Sequence, residues 1–587
     1  MTFHQPGPRF DVREIPFSHY GSWFALSPVI SQTRCADDIH LVSHQNGMHP
    51  VLALTPVDAD GNRIETRVEA SPSLLSWARE PARIEATYSG VDTIRLRGTA
   101  ACLRIAATAP VLTPFSGTYL YRDPVDGSFV FTSYETGRRY RVTVLSGHAA
   151  AEGDQVLGRA RRELLIGPSE SGEAGWEVAI EEYEAGRRPF RDEAGFAQAA
   201  RTAGLAFAEF ADRVAPWRDA HAPGAELAAY VLWSATVAPA GLLARPAVLM
   251  SKHWMDKVWS WDHCFNALAL AEGDPESAWH QFCLPFDHQD PSGALPDSVT
   301  HSEALYNYVK PPIHGWVLGH LVSRLGESLT PTRVEQAYDR LGRWSRYWLG
   351  RRAPGSLLPH YHHGNDSGWD NATTFDGARV IESADVAAFL TLQLRRLAAM
   401  AAQLARTEDA ENWTRLADDL QTAMIRQLWT GECFAARDVS GGGLHVSGSL
   451  LDTMPIVLGA DLPPEIHTVL AASIEAHLTE HGLATERPDS PHYSPDGYWR
   501  GPIWAPSTVL IEDGLRRAGH VKLADEISRR FRTLCEASGF AENFDAVTGA
   551  GQRDRAYAWT AGSHLLLARD AQRREAYEAA DPSANCV

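Results

Sequence analysis

The segment HGNDSGWDNAT, from His363 to Thr373, holds two glycines, two asparagines, two aspartates and a tryptophan within eleven residues. Glycine and asparagine tolerate turn geometry, and asparagine bonds its own backbone, so the segment is predicted to be a loop. Carboxylate and amide groups bond sugar hydroxyls, and an indole face covers the C–H face of a pyranose ring. Taken alone, the segment fits equally well an ordinary Asx-turn loop between two helices.

Around this segment, from Ala225 to about Arg569, the sequence predicts helices joined by long loops. Apolar residues recur at helical spacing in the segments Glu226–Ala238, Ile313–Leu325, Thr332–Leu349, Ser383–Arg406, Asn412–Trp429, Pro464–Leu478, Ser507–Ala518 and Leu523–Ser538. Compact domains seldom keep long loops without a functional reason, so we expect the loops to converge at one end of a helical scaffold. About 345 residues can hold twelve helices with their loops, which is the content of an (α/α)6 barrel.

Before this helical region, residues 1–190 are predicted to form an antiparallel β-sandwich. Short runs alternate apolar and polar residues, as in Thr93–Arg97, Cys102–Ile105 and Tyr140–Val144, and turn residues separate them. Residues 191–224 are predicted to be a helical linker that ends near Pro223 and Gly224. The catalytic domain would then cover residues 225–570 and leave a tail of residues 571–587.

Composition excludes several classes of function. The 54 basic and 73 acidic residues give a net charge of −19, which argues against nucleic acid and anionic membranes as partners. No apolar run is long enough to span a membrane, and Met1 to Asp11 lacks the apolar core of a signal peptide. Seven scattered cysteines without a C-x-x-C pair are typical of reduced thiols. These features together predict a cytoplasmic protein, and they leave its oligomeric state open.

Two carboxyl groups in loop contexts stand out. Asp370 lies in the step Ser-Gly-Trp-Asp-Asn, and Glu542 lies in Gly-Phe-Ala-Glu-Asn-Phe-Asp, 172 positions later. Glycoside hydrolysis needs such a pair, one group to protonate the leaving oxygen and one to activate water or attack the sugar. Trp369 beside Asp370 would help to desolvate the carboxyl and raise its pKa. Either residue fits equally well as a helix cap or an Asx-turn residue.

Three further clusters resemble sugar contacts. They are the segments WSWDHCF (Trp259–Phe265), QDPSGALPD (Gln289–Asp297) and YWRGPIW (Tyr498–Trp504). Each aromatic residue taken singly is equally explained by packing between helices, but their joint occurrence in polar loops favours a sugar site. His360, His362 and His363 form a possible metal cluster, but no paired Cys or H-E-x-x-H pattern accompanies them, so neither a metal nor a cofactor is predicted.

The combination of W-x-W-D-x-x-F, S-G-W-D-N, Y-W-R-G-P-I-W and G-F-x-E-N-F-D, in this order, resembles glycoside hydrolase family 63 over residues 225–570. That family includes processing α-glucosidases and bacterial mannosylglycerate and glucosylglycerate hydrolases, and trehalases belong to the same clan. The resemblance implies an (α/α)6 barrel and an inverting mechanism, with Asp370 as general acid and Glu542 as general base. Asp366 lies in the same loop, and only the motif selects Asp370 over it.

We therefore predict an inverting α-glycosidase that hydrolyses a small α-linked glucoside. The residues predicted to line the sugar site are Trp261, Asp262, Phe265, Gln289, Trp369, Asn371, Trp499, Arg500, Trp504 and Trp559. Alternatives are a mannosylglycerate or glucosylglycerate hydrolase, an epimerase or phosphorylase on the same scaffold, or a carbohydrate-binding protein without turnover. A phosphorylase would need a phosphate site in place of the Glu542 base, and a binding protein would tolerate loss of either carboxyl.

Overall fold

The chain divides into two compact units in a computed structural model that describes residues 7–31, 34–169, 175–191 and 194–580. The first unit is Met1–Pro216, Ala229–Lys257 and Thr300–Glu303. The second is Trp217–Ala228, Val258–Val299 and Ala304–Val587. These limits differ from the predicted boundaries, because Ala229–Lys257 and Thr300–Glu303 group with the first unit.

The first unit is an antiparallel β domain, as predicted. Its strands are β1 (Phe24–Ser31), β2 (Arg34–Ser43), β3 (His49–Val57), β4 (Arg67–Ser71), β5 (Leu74–Arg79), β6 (Ala82–Gly90), β7 (Thr93–Thr99), β8 (Cys102–Ala107), β9 (Thr118–Arg122), β10 (Phe129–Ser133), β11 (Arg139–Ser146), β12 (His148–Glu152), β13 (Glu163–Gly167) and β14 (Gly175–Tyr183). They form a six-stranded sheet in the order β1-β2-β3-β8-β13-β12 and an eight-stranded sheet in the order β4-β5-β6-β7-β14-β11-β10-β9. Strand β7 follows the predicted alternation only in part: Ile94 and Leu96 are fully buried on one face, Arg97 on the other face is exposed, and Arg95 on that face is buried as well.

Most of the predicted linker, up to Pro216, groups with the first unit, and its last residues belong to the Trp217–Ala228 segment of the second unit. Helix α1 (Gly195–Val214) packs against strand β6 and buries Phe196, Phe207 and Phe210. The helix has an apolar stripe that must be covered, so it lies on the sheet and does not act as a free connector. Residues 192 and 193 of the predicted linker lie outside the described part of the chain.

The remaining helices are α2 (Ala225–Ala235), α3 (His263–Leu270), α4 (Pro275–Cys283), α5 (His314–Leu325), α6 (Pro331–Gly350), α7 (Gly364–Ser367), α8 (Ala384–Gln403), α9 (Thr407–Leu428), α10 (Pro464–Glu475), α11 (Ala505–Arg517), α12 (Val521–Ser538) and α13 (Ala558–Ala580). A 3-10 segment covers Leu450–Asp461. Helix α13 takes in the first part of the predicted tail, and residues 581–587 lie outside the described residues. No described helix combines the length and the apolar character needed to cross a membrane.

Six elements of the second unit contact one another in a closed cycle. Helix α3 contacts α5, α5 contacts α8, and α8 contacts the 3-10 segment 450–461, which contacts α11; α11 contacts α13, and α13 returns to α3. Other helices pack on members of this cycle, including α4 on α3, α6 and α9 on α8, and α12 on α11 and α13. The buried faces of the cycle supply the core of this unit, with Trp344 and Trp348 of α6 fully buried behind α8.

The loops that hold the predicted site residues share one position in this arrangement. Each loop directly precedes a member of the cycle: the Trp259–Asp262 segment precedes α3, the Asp370 loop precedes α8, the Tyr498–Trp504 segment precedes α11, and the Glu542 segment precedes α13. Chain segments that enter the same ring at the same end of its helices come together, which explains how residues far apart in sequence meet.

Candidate active site

Asp370 follows a turn that only glycine can make. The turn belongs to the segment of residues 363–376, which we call the SGWD loop. Helix α7 starts at His363, whose Nδ1 accepts a backbone N–H at 3.1 Å, and ends at Gly368, where φ is 75°. A Cβ atom at position 368 would lie 2.6 Å from the ring of Trp261. The backbone therefore passes directly under the indole, and this contact fixes where Asp370 leaves the turn.

The structure separates the two aspartates of this loop by their surroundings. Asp366 is buried, and its Oδ2 accepts from Arg351 at 3.0 Å and from the His362 N–H at 2.9 Å. Its Oδ1 accepts from the Val309 N–H at 3.2 Å. Both oxygens are thus committed to holding the chain. Asp370 is half-buried, and its own backbone N–H favours the ionised form of its carboxyl and so lowers the pKa.

Two predicted sugar contacts brace the SGWD loop against the YWRG turn, defined as residues 494–501. Asn371 donates to the Gly497 carbonyl at 3.0 Å and accepts from the Trp499 N–H at 3.0 Å. Arg500 donates to the Asn371 carbonyl at 2.6 Å and pairs with Asp376 at 2.6 Å. The amide and the guanidinium therefore fix the relative position of two loops that are more than a hundred residues apart in sequence.

Glu542 lies at the start of a second fixed loop, the Glu542 hairpin of residues 542–554. Its N–H donates to the Asp554 carbonyl at 2.7 Å, and residues 543–544 pair with residues 551–552. Phe544 exchanges backbone hydrogen bonds with Ile503 at 2.7 and 3.0 Å. The hairpin is thereby tied to the segment that follows the YWRG turn. Glu542 itself is 3% exposed.

Tyr498 connects the two carboxyl groups. Its hydroxyl favours the ionised form of Glu542 and so opposes the rise in the pKa of that carboxyl, and the charges of both Glu542 and Asp370 act on the phenol. Burial, with these two charges, raises the pKa of Tyr498 well above its ordinary value. Asp370 and Glu542 thus approach one ring from separate loops, as the resemblance to a paired-carboxylate enzyme requires.

Five predicted tryptophans from four stretches of sequence form one wall. Trp499 and Trp504 stack with ring centroids 4.1 Å apart and planes 6° apart. Trp369 lies 4.6 Å from Trp499. Trp559 is 5.6 Å from Trp504 and 5.7 Å from Trp261. All five are buried, and aromatic pairs at these distances stabilise one another, so the wall is rigid.

Lys310, which the sequence motifs did not select, supplies a positive charge to a cluster of acids. Its Nζ donates to the Asn365 carbonyl at 2.7 Å and lies 3.2 Å from an oxygen of Asp297. Asp262 is fully buried, and burial raises its pKa well above the ordinary value, with Lys310 opposing the shift. Its Oδ2 has no hydrogen-bond partner among the described residues. A buried, unsatisfied carboxyl oxygen is costly in an empty site and suits a sugar hydroxyl.

The pKa values of both candidate catalytic carboxyls are raised. For Asp370 the main cause is burial, which Lys310 opposes and the charge of Asp297 reinforces. For Glu542 burial and the charge of Asp554 raise the pKa to about 7, against the opposing effects of Arg553 and the Tyr498 hydroxyl. Perturbed carboxyls of this kind in one place indicate acid–base chemistry.

The described contacts of Phe265 and Gln289 are with protein groups, and their role as sugar contacts stays a prediction. Phe265 is fully buried in α3 and lies 6.3 Å from Trp261, so it supports that indole from behind. Gln289 donates its amide to the carbonyls of Gly293 at 2.9 Å and Arg340 at 3.1 Å. These two bonds hold its own loop and tie that loop to helix α6, and neither of them reaches Asp370 or Glu542.

Sequence reasoning missed part of the site. Tyr498 was visible within Y-W-R-G-P-I-W but was not selected, although a phenol is a ready hydrogen-bond donor. Tyr557 is buried, and burial together with the charges of Glu542 and Asp262 raises the pKa of its phenol well above the ordinary value. Lys310 carried no motif signal, because it acts through a contact with a distant loop, and Asp297 stood at the end of the quoted QDPSGALPD cluster but was not selected. His360 and His362 form an exposed pair with 3.2 Å between their Nε2 atoms, and no group of metal-ligating side chains was found among the described residues.

A cavity of about 390 Å³ borders the SGWD loop. It is lined by Thr373 and Asp376 of that loop and by His445, Arg487 and His492. Arg487 pairs with Asp489 at 2.6 Å at its edge. The cavity is an additional space beside the loop that carries Asp370, and charged side chains are among its lining residues.

Comparison with known proteins agrees with this geometry. A family profile described as the mannosylglycerate hydrolase MGH1-like glycoside hydrolase domain matches residues 255–560, just over half of the chain. Mannosylglycerate hydrolase of Rubrobacter radiotolerans is 25% identical over 407 residues, which cover 53% of this chain and 89% of that protein.

Solved structures show the same fold at low sequence identity. The family 63 mannosylglycerate hydrolase of Thermus thermophilus in complex with glucose superposes with a TM-score of 0.53 at 21% identity, covering 58% of this chain and 99% of that chain. A bacterial glucoamylase complexed with acarbose superposes with a TM-score of 0.60 at 12% identity, covering 97% of this chain and 95% of that chain. Because the matched domain includes every residue of the site described above, the chain belongs to the mannosylglycerate hydrolase MGH1-like glycoside hydrolases of family 63 and is a glycosidase.

Proposed function

We propose that this glycosidase is an inverting enzyme that acts on a small α-linked glycoside, with Asp370 as general acid and Glu542 as general base. The observation that carries the proposal is the approach of both carboxyls to Tyr498 beside a wall of five tryptophans. Asp366, the competing aspartate, is occupied by Arg351 and two backbone N–H groups. The acid role therefore falls to Asp370.

The proposed reaction is a single displacement. Asp370 donates its proton to the glycosidic oxygen while the bond from that oxygen to the anomeric carbon breaks. Glu542 accepts a proton from a water molecule, and the water oxygen bonds to the anomeric carbon from the opposite face. An α-linked substrate then gives a β-sugar and a free alcohol. Burial supports the acid role, because the raised pKa keeps the Asp370 proton in place until it is transferred.

The same proposal includes an (α/α)6 barrel. The closed cycle of α3, α5, α8, the 3-10 segment 450–461, α11 and α13 supports a six-membered inner ring, with other helices packed outside it. In such a ring the loops that precede the inner helices meet at one end. The site residues occupy those loops, which is why we place the sugar there.

A glycerate glycoside is the second candidate for the substrate. The family profile and the curated relative are both named for mannosylglycerate hydrolysis, which favours an α-mannosyl or α-glucosyl glycerate over a neutral glucoside. The cavity beside the SGWD loop has Arg487 in its lining and offers space for a charged leaving group.

The test is release of free sugar from α-glucosides, α-mannosides and their glycerate glycosides, with the anomer followed by NMR. We expect the β-anomer to appear first, without any requirement for phosphate. Release of the α-anomer would overturn the inverting mechanism, and phosphate-dependent turnover would identify a phosphorylase. Conversion of a free sugar to its epimer would identify an epimerase. Binding without release would instead identify a carbohydrate-binding protein.

A further inference from the structure

Two strained residues lie beside Glu542. Six non-glycine residues in the described part of the chain have positive φ, and two of them, Tyr498 (φ 63°) and Arg553 (φ 60°), belong to this one site. Left-handed backbone is unfavourable for a residue with a side chain, and it persists only where the surroundings impose it. The contacts of the Tyr498 and Arg553 side chains show what imposes the left-handed backbone here.

Arg553 joins the YWRG turn to the Glu542 hairpin. Its guanidinium lies 5.0 Å from the centroid of the Tyr498 ring, within cation–π range. Its Nη1 is 2.7 Å from Asp496, two residues before Tyr498, and 3.3 Å from Asn543, the residue after Glu542. One side chain thus contacts the phenol, the turn that carries the phenol, and the chain beside Glu542.

Arg553 also supplies positive charge next to Glu542. The groups that face this carboxyl are the Asp554 carboxylate, the Tyr498 and Tyr557 phenols, and Arg553. Asp554 disfavours the ionised form, whereas Arg553 and the Tyr498 hydroxyl favour it. Removing the guanidinium would leave Glu542 with a negative neighbour and a less constrained phenol.

We propose that Arg553 is a positioning residue for the general base: it holds the Tyr498 hydroxyl against Glu542 and keeps the carboxyl ionised to accept the proton of the attacking water. The inference rests on the proposed function of Glu542. Arg553 acts through Tyr498 and Glu542 and is not assigned a contact with the substrate.

The competing explanation is that Arg553 only braces the hairpin, and a neighbour provides the control. Arg555 donates to the carbonyls of Gly551 at 2.6 Å and Ser538 at 2.8 Å, and so stabilises the same hairpin through its backbone. Arg555→Met would therefore weaken the hairpin, as Arg553→Met would, without removing the contact to Tyr498. A purely structural role predicts the same kinetic behaviour for both variants.

The first experiment measures kcat and KM against pH for the full chain and for Arg553→Met, Arg553→Lys and Arg555→Met. In Arg553→Met we expect the acidic limb of kcat/KM to move up by about one pH unit, the size of effect expected from losing a nearby opposite charge. At neutral pH the loss of activity should appear mainly as a lower kcat, and this loss should become smaller at high pH. Arg553→Lys should return the acidic limb most of the way to its position in the unmodified protein. Arg555→Met should lower the melting temperature without moving the acidic limb.

A second readout does not depend on turnover. Glutamate labelled with ¹³C at its carboxyl gives an NMR titration, and the Glu542 signal is the one absent in Glu542→Gln. We expect its midpoint to rise in Arg553→Met, and Arg553→Gln replaces that variant if the methionine protein does not fold. An unchanged midpoint, or an equal loss of rate at every pH, overturns the positioning role. Absence of sugar release by the unmodified protein would instead overturn the proposed function, and the titration would still decide the effect of Arg553 on Glu542.

Discussion

At the scale of single residues, substitutions of the two aspartates of the SGWD loop are expected to have opposite effects on kcat and on stability. Asp370→Asn removes the proposed proton donor and is expected to lower kcat by about 10²- to 10⁴-fold, the usual contribution of a general acid. Its melting temperature should stay close to that of the unmodified protein, because the side chain is half-buried and is not paired with an arginine as Asp366 is.

Asp366→Asn is the matched comparison. It leaves the half-buried Arg351 without its carboxylate partner, and the cost is at most about 3 kcal/mol, the lower figure for breaking a fully buried pair. The expected signature is a lower melting temperature with a smaller effect on kcat per folded molecule. Circular dichroism melts and active-site titration separate the two quantities. A dead but stable Asp366→Asn, with an active Asp370→Asn, would reverse the assignment.

The second prediction at this scale concerns pH. Glu542 has its pKa raised to about 7 by burial and by Asp554, and a general base acts only when ionised. As pH falls through 7 the carboxyl gains a proton, so kcat/KM of the free enzyme should fall about tenfold per pH unit below that point. A plot of log kcat/KM against pH measures the limb. An acidic limb near the ordinary glutamate pKa of about 4 would mean that Glu542 is not the group that must ionise.

At the scale of elements, the SGWD loop is held by buried carboxyls of its neighbours. Thr373 donates to Glu486 at 2.6 Å, and Thr374 donates to Asp452 at 2.8 Å. The second oxygen of Asp452 accepts from the Ser447 hydroxyl at 2.7 Å. These hydroxyls fix the end of the loop that leads into helix α8. The loop therefore has little freedom after Asp370, as accurate placement of a proton donor requires.

Asp452 makes the stability contributed by the end of the SGWD loop depend on pH. Burial raises its pKa from 3.8 to about 6, so the folded protein keeps the proton between about pH 4 and 6, whereas the unfolded chain loses it. Because the folded state binds more protons over this range, the contribution of Asp452 to stability falls as pH rises, by on the order of 2–3 kcal/mol in total. Asp452→Asn cannot titrate. We expect the difference in unfolding free energy, unmodified protein minus variant, to decrease from about pH 4 to about pH 7 in urea titrations. A difference that is constant with pH would contradict the burial of an ionisable group here.

Helices and strands were readable from the sequence where apolar periodicity was strong. The predicted segments Ile313–Leu325 and Leu523–Ser538 match α5 and α12 to within two residues, because each has one apolar face. Helix α3 was not predicted. It is buried all round, so it has no polar face to create a period, and its sequence looked like part of a loop.

The site was only partly readable for a different physical reason. Trp499, Trp504 and Glu542 were selected because each stands in a local motif. The bracing roles of Asn371 and Arg500 depend on atoms of another loop, and no local pattern encodes such a contact. Arg553, at the end of the Glu542 hairpin, likewise acts through contacts with another loop. Residues that act through a distant partner appear only when the fold brings the loops together.

At the scale of the whole molecule, the polar core of the first unit includes residues from both sides of the predicted boundary. Lys252 is fully buried and donates to the Ser18 hydroxyl at 3.0 Å and the Ser22 carbonyl at 2.7 Å. Burial lowers the pKa of its ammonium well below the ordinary value. The Tyr230 hydroxyl lies 3.2 Å from the Ser18 N–H, which donates to it. Residues 229–257 therefore complete the first unit, although they follow the predicted linker in sequence.

This interleaving predicts that the helical region does not fold alone. A fragment of residues 225–587 would contain every residue of the proposed site but would expose the side chains of residues 229–257 that the β domain buries. Among them are Lys252, Tyr230 and Trp233, whose partners Ser18, Ser22 and Phe207 would be missing. Loss of buried polar and aromatic partners on this scale exceeds the net stability of a typical domain.

We expect the fragment to be insoluble, or to melt without a cooperative transition, in circular dichroism and in differential scanning calorimetry. The full chain, prepared in parallel, should melt cooperatively, and co-expression of residues 1–224 should recover soluble protein. A fragment that melts cooperatively and keeps the full-length kcat/KM would show that residues 229–257 can be satisfied without the β domain, and that the predicted boundary at residue 225 describes an independent catalytic domain.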